Sequence, residues 1–182
     1  MPTPAEDGKL SEIIHELQNA TLGGNAVAAV LPRLRRLLDA DRAAAHKLVR
    51  TDKGFKMEFV FLEGFPSGAE KTMRDWLATA PADAFNYDPS WVVEEQRNIV
   101  LRTRAALASD QLARMPVVRE LFPKVGLAGM DQVRVLICEG PKLLAWVGAF
   151  RTRSFTPVEE IHLQALVPAL VSRLQLENGI FR

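Results

Sequence analysis

Apolar residues recur along this chain with two different periods, and the places where the period changes mark out the elements. Leu10, Ile13, Ile14 and Leu17 fall at helical spacing and predict an amphipathic helix ending near Gly23 and Gly24, while the polar, proline-containing residues 1–9 before it read as disordered. A second helix is expected from Asn25, with Val27, Val30, Leu31, Leu34, Leu37 and Leu38 on one face. Its other face carries Arg33, Arg35 and Arg36, which read as a solvated surface. From Asp41 the period drops to two. Residues 42–50 and 55–62 predict a hairpin closed by Thr51-Asp52-Lys53-Gly54. In its second strand Phe55, Met57, Phe59 and Phe61 share one face, and Lys56, Glu58, Val60 and Leu62 the other.

The middle of the chain is less regular. A loop at 64–68 leads to a helix over 69–79 with Met73, Trp76 and Leu77 facing inward. Residues 80–102 follow no period and hold the only tyrosine, Tyr87, together with Phe85, Trp91 and the polar run Glu94 to Asn98. Long irregular stretches inside a compact domain tend to carry function. Residues 99–108 fit a helix or a short strand equally well, 111–121 reads as a helix with Pro116 near its start, and 122–130 as a loop.

The segment from Asp131 to Leu176 organises the rest. Two strands, 132–139 and 142–150, flank a Gly140-Pro141 turn. In the second strand both alternating sets are apolar: Leu144, Trp146, Gly148 and Phe150 on one side, Leu143, Ala145, Val147 and Ala149 on the other. A strand exposed on one face would alternate with polar residues, so this one is expected at the centre of a sheet covered on both sides. The helix after it opens with Thr156 as cap, Pro157 in the first turn and Glu159 closing a capping box. Leu163, Leu166, Val167, Leu170 and Leu174 form its stripe, widened by Ile161, Ala165 and Ala169, with Pro168 a point for a kink. The arc is wide enough to predict contact with both the sheet and a second chain. The helix is expected over 157–176, with residues 178–182 a polar tail.

Composition narrows the function classes. The 182 residues suit one domain spanning 10–177, and 48% hydrophobic with 25% charged residues is an ordinary globular profile. With 23 basic against 22 acidic side chains, the balance gives no pull toward nucleic acid, so no direct nucleic-acid binding is expected. No apolar run reaches the ~18 residues of a membrane span, and the start MPTPAEDGK lacks the features of a secretory signal, so a cytoplasmic location without membrane contact is expected. His15, His46 and His162 sit on separate elements, away from metal-ligand spacing. Cys138 is the single cysteine and reads as a buried thiol, with a redox or attachment site as the sharper alternative. Phosphate-loop spacing and a nucleophile elbow are both missing, and no carboxylate pair is set off by apolar surroundings. No catalysis, cofactor or metal is expected.

The run VRVLICEGPKLLAWVGAFRTRSFTPVEEIHLQALVPAL resembles the last two strands and final helix of GAF domains, the small sensory fold related to PAS, as found in bacterial transcription regulators and signal-transduction proteins. Gly148, Phe155 and Thr156-Pro157 carry the likeness, which extends in element order over residues 10–176. It implies an α+β fold: an antiparallel sheet of five or six strands, N- and C-terminal helices packed on one face, and a ligand-sized cavity on the other. The cyclic-nucleotide signature Asn-Lys-x-Phe-x-x-x-Asp-Glu is absent. Cys138 lies on a strand, unlike a bilin-attaching cysteine, and methionine sulfoxide reduction would need several cysteines. No helix-turn-helix follows.

Two readings result. In the first the chain is a regulatory sensor, the input module of a transcription regulator, taking an unidentified small molecule and signalling through its terminal helices. Its candidate binding residues are Phe59, Phe61, Trp76, Tyr87, Trp91 and Arg97, aromatic walls with a hydroxyl and a guanidinium fork. In the second it is a ligand-free interaction module. Both expect a homodimer built on Leu10, Ile14, Leu17, Leu166, Leu170 and Leu174.

Overall fold

The computed structural model describes residues 3–22 and 25–180. Strands β1 (Arg42–Arg50), β2 (Phe55–Glu63), β3 (Leu101–Arg102), β4 (Asp131–Glu139) and β5 (Lys142–Arg151) form one antiparallel sheet in the order β2-β1-β5-β4-β3. β5 is the middle strand, and every residue from Leu143 to Arg151 is buried. The two-sided apolar pattern is therefore explained by cover on both faces. The turn into β5 uses Gly140 at φ +57°, a left-handed conformation that glycine adopts without steric cost.

Two bulges alter which residues share a face. Between β1 and β2 the register runs from Lys47 opposite Phe59 to Leu48 opposite Met57, leaving Glu58 as an extra residue. Beyond it the alternation inverts: Phe55, Met57, Val60 and Leu62 lie on one side of the sheet, and Phe59 and Phe61 on the other. The expected row of three phenylalanines and a methionine is thus split, because one inserted residue turns every later side chain over. Leu144 is the extra residue between β4 and β5, so it joins Ala145, Val147 and Ala149 instead of Trp146, and Leu143 lies with Trp146.

One face is covered by three helices, α1 (Pro4–Asn19), α2 (Ala26–Leu37) and α6 (Pro157–Ile180). α1 starts at Pro4, well before the expected Leu10, because Thr3 and Glu6 form a reciprocal capping box. Residues 4–9 are thus helical rather than disordered, while Met1, Pro2, Gly23 and Gly24 lie outside the described residues. α6 begins as predicted, with Thr156 N donating to Glu159 at 2.7 Å. It continues to Ile180, so most of the expected tail is helix, and Phe181 and Arg182 lie outside the described residues. Leu17, Leu166, Leu170 and Leu174 are buried within the chain's own core, at 1, 1, 2 and 6% exposure, and Leu10 and Ile14 are half-buried against it. These residues hold α1, α2 and the sheet together, each full burial worth about 1.5–3 kcal/mol, and the four leucines cannot also meet a second chain. The exposed side of α6 carries Ile161, Ala165 and Leu176 instead.

The opposite face is covered by α3 (Ala69–Leu77), the irregular stretch after it, the single turn α4 (Thr103–Ala106), α5 (Ser109–Arg114) and residues 115–130. Residues 99–108 supply both a two-residue strand and a helical turn. The helix expected over 111–121 is broken: Met115 takes extended φ/ψ, as residues before proline do, and a separate wide turn, Val117–Leu121, follows. Residues 80–100 are irregular, yet Asn98 stitches them to the edge of β4. Its side chain accepts from Cys138 N at 2.8 Å and donates to Cys138 O at 3.2 Å.

Candidate functional site

The sheet and this irregular cover do not close on each other. Between them lies a cavity of about 610 Å³, within the range of small-molecule sites. Its floor is made by Ala44, His46 and Leu48 of β1, Met57 of β2, and Trp146 and Phe150 of β5. Trp146 lies flat between neighbours, stacked on His46 at 4.8 Å and on Phe150 at 5.8 Å. That layer needs Gly148: a Cβ there would sit 2.5 Å from Val133 O and 2.8 Å from Trp146 Cη2. Met73, Phe85 and Tyr87 border the cavity from the cover, and α5 borders it with Leu112 and Ala113, the latter exposed.

Several side chains in and beside this layer hold buried polar atoms without partners, while Thr103, Arg104 and Asp131 at its border are hydrogen-bonded. His46 Nδ1 is buried without a partner, and burial pulls the imidazole down to about 4, so it is neutral at pH 7. The Tyr87 hydroxyl is likewise buried and unpaired, and burial pushes its pKa upward despite the nearby Arg134 charge. Arg134 is 1% exposed, on the same face of β4 as Gln132, which lines the cavity. Its guanidinium lies 6.0 Å from the Tyr87 ring, and Nε and Nη2 have no hydrogen-bond partner. Burial lowers it from 12.5 to about 10, which leaves it charged at pH 7. The two other deeply buried arginines differ sharply. Arg151 pairs with Glu159 at 3.1 Å and donates to Leu38 O and Ser154 O. Arg173 pairs with Glu177 at 2.8 Å and donates to Ala20 O and Thr21 O. Arg134 forms no ion pair among the described residues. The nearby carboxylate on its strand, Asp131, is already used by Thr103 Oγ1 and by the amides of Arg104, Gln132 and Phe155.

The residues picked from sequence scatter. Tyr87 lines the cavity. Trp76 does not line it; it is half-buried against the apolar cluster on the same face, with its indole donating to Glu120 at 3.2 Å. Phe59 and Phe61 stack on each other at 5.5 Å on the far side of the sheet, so they are part of the helix-facing core and not of a binding wall. Trp91 is 61% exposed and borders a separate, smaller groove with Pro89 and Leu143. Arg97 lies 6.0 Å from the Trp91 ring and donates to Val92 O at 2.7 Å, away from the main cavity. His46, Arg134 and Trp146 were not picked. A charged residue inside the apolar run QVRVLICE was the available signal for Arg134.

Burial raises the Cys138 thiol to about 11, so it is protonated at pH 7 and a poor nucleophile. Among the described residues, no three His, Cys, Asp or Glu side chains are grouped to hold a metal, and no helix is long and apolar enough to cross a membrane.

No protein-family model matches the sequence, and no match is found among curated proteins. Solved structures do match in shape. The GAF domain of an Acinetobacter phosphoenolpyruvate-protein phosphotransferase aligns over 98% of both chains with a TM-score of 0.64 at 8% identity. The corresponding GAF domain from Coxiella burnetii aligns over 97% of this chain and 96% of its own, with a TM-score of 0.60 at 16% identity. The free methionine-R-sulfoxide reductase of Neisseria meningitidis, solved in complex with its substrate, aligns over 99% and 96% with a TM-score of 0.54 at 11% identity. The chain has the GAF fold implied by its C-terminal third.

Proposed function

We propose that this GAF-fold domain is a regulatory sensor that takes a small molecule into the cavity between its sheet and irregular cover and signals through α1 and α6. One observation carries the reading: about 610 Å³ of largely apolar space is bordered by buried polar groups left without partners. An unpartnered buried donor costs roughly 1–3 kcal/mol, and a bound ligand would remove that cost. The output fits the same geometry, since Arg173 of α6 holds the end of α1 through Ala20 O and Thr21 O. Placement as the input module of a transcription regulator is part of this proposal.

The test is a thermal-shift screen of metabolites, repeated on Ala113→Trp, which puts an indole at the cavity border from an exposed position. Compounds that raise the melting point of the wild type at sub-millimolar concentration are expected to lose that effect in the variant. The reading fails if nothing in the screen shifts the wild type, or if the variant responds equally.

A second reading, a homodimerisation module, draws on Ile99, Ile161 and Leu176, which are 52, 56 and 49% exposed. Ile161→Lys with Leu176→Lys should then convert a dimer to a monomer in sedimentation. A wild-type monomer at the highest concentration tested would dispose of this reading.

A further inference from the structure

Among the described residues, Arg134 differs from the other two deeply buried arginines. Arg151 and Arg173 are each satisfied by a carboxylate and backbone carbonyls, whereas the Arg134 guanidinium meets only an aromatic face. A charge in that position is costly to the fold and gains a partner only if something enters from the cavity side. Arg134 does not itself line the cavity, and the space over Gly148, its partner across the sheet, is taken by the Trp146 ring. It shares its strand face with the cavity-lining Gln132 and lies 6.0 Å from the ring of Tyr87, which does line the cavity, so the Tyr87 side is where a ligand would approach it.

We propose that the cavity ligand is an apolar monocarboxylate, its carboxylate received by the Arg134 fork beside the Tyr87 hydroxyl and its body lying along Leu48, Met57, Trp146 and Phe150. This rests on the reading of the cavity as a ligand site and adds the chemical class. The carboxylate follows from charge balance. Among the described residues beside this layer, the Arg134 guanidinium is the charged donor with unpartnered nitrogens, and its planar fork matches two carboxylate oxygens. His46 is neutral and Tyr87 keeps its proton, so neither helps neutralise a second negative charge. A phosphate dianion would therefore carry uncompensated charge into an apolar space. The unpaired Tyr87 hydroxyl supplies one further hydrogen bond to the same group. The body must be apolar because the floor offers methyl, thioether and indole surface almost throughout.

The experiment is isothermal titration of the whole chain with decanoate and indole-3-acetate, against 1-decanol, indole-3-acetamide and decyl phosphate. At least one acid is expected to bind about tenfold or more tighter than its neutral analogue. Arg134→Met should cost the acid about tenfold or more while leaving the neutral analogue unchanged, and Arg134→Lys should restore part of the loss. Arg134→Gln serves as a second variant if Arg134→Met does not fold. The proposal is overturned if neither acid binds at about 1 mM, if the neutral analogues bind as well as the acids, or if decyl phosphate binds tighter than decanoate. Its failure is separable from that of the cavity reading. Neutral compounds that bind and are blocked by Ala113→Trp would keep the cavity and discard the carboxylate, whereas binding indifferent to Ala113→Trp would discard both.

Discussion

Replacing Arg134 by methionine keeps a long flexible chain in the β4 site and removes only the charge and its donors. Burial lowers the guanidinium from 12.5 to about 10, and at ~1.4 kcal/mol per pH unit this corresponds to about 3 kcal/mol of desolvation borne by the folded state. With the residue 1% exposed, solvent screening takes little from that figure. The contact with the Tyr87 ring at 6.0 Å returns roughly 1 kcal/mol. The unliganded variant should therefore be more stable than the wild type by about 2 kcal/mol, or about 4–8 °C in Tm for a chain of this length. Because the group is protonated at pH 7 in both folded and unfolded chains, the penalty is present in full at neutral pH. It is relieved only as pH rises past about 10. Urea unfolding at pH 7, followed by far-UV circular dichroism, measures the difference, provided m is unchanged. A variant that unfolds at lower urea than the wild type would refute the reasoning, since the guanidinium must then have compensation in the unliganded fold.

Arg151→Met makes the opposite case: it strands Glu159 and several carbonyls and should cost about 3–5 kcal/mol in the same assay. His46→Phe should flatten the acid limb of stability. The unfolded imidazole binds a proton below about pH 6.5 and the folded one only near 4, so wild-type stability falls as pH drops through that window, by up to about 3 kcal/mol, and the variant should lack this fall. Gly148→Val should cost about 2 kcal/mol or more and shift tryptophan emission, because its Cβ would meet Val133 O and the Trp146 ring, and unchanged emission would count against the flat stack. Asp131→Asn should cost about 2 kcal/mol or more and lower hydrogen-exchange protection at Arg104 and Phe155 together; loss at only one would show that the two amides do not depend on the same carboxylate.

The placement of β5 was readable because burial on both faces leaves both alternating sets apolar, a pattern few other arrangements produce. The bulges were not. Glu58 and Leu144 are ordinary strand residues, and nothing in their identity marks the extra position that turned Phe59 and Phe61 away from the cavity. The start of α1 was legible and went unread: Thr3-Pro4-Ala5-Glu6 repeats the Thr156-Pro157-Val158-Glu159 cap of α6, but its neighbours are polar and the first turn is exposed, so hydrophobic period gave no hint. The choice of Leu17, Leu166, Leu170 and Leu174 for contact with a second chain went wrong for a related reason. A wide apolar arc says how much of a helix is buried, not against what, and α1, α2 and the sheet together satisfy the arc of α6. Of the ligand candidates, aromatic richness between residues 80 and 102 located the cover, while the distinguishing feature of the cavity layer, an arginine without a partner, depends on what is missing around it.

The sheet itself separates the cavity from the helices proposed to carry the signal, and β5 is too tightly packed on both faces to bend cheaply. The better connection runs around its end. Thr103, Arg104 and Asp131 border the cavity, and the Asp131 carboxylate holds the first two while also accepting from Phe155 N at 2.8 Å, one residue before the α6 cap. Arg104 reinforces the link by donating to Thr152 O at 2.9 Å in the turn between β5 and α6. Arg151, from the end of β5, anchors Glu159 in the first turn of the same helix. One carboxylate and two guanidiniums therefore join the cavity wall to the start of α6, and Arg173 joins its far end to α1. For the proposed sensor, a ligand need not deform the sheet to be felt on its other side. It need only favour one position of the Thr103–Arg104 turn, and by linkage the helix start that shares Asp131 with that turn is biased by the same free energy.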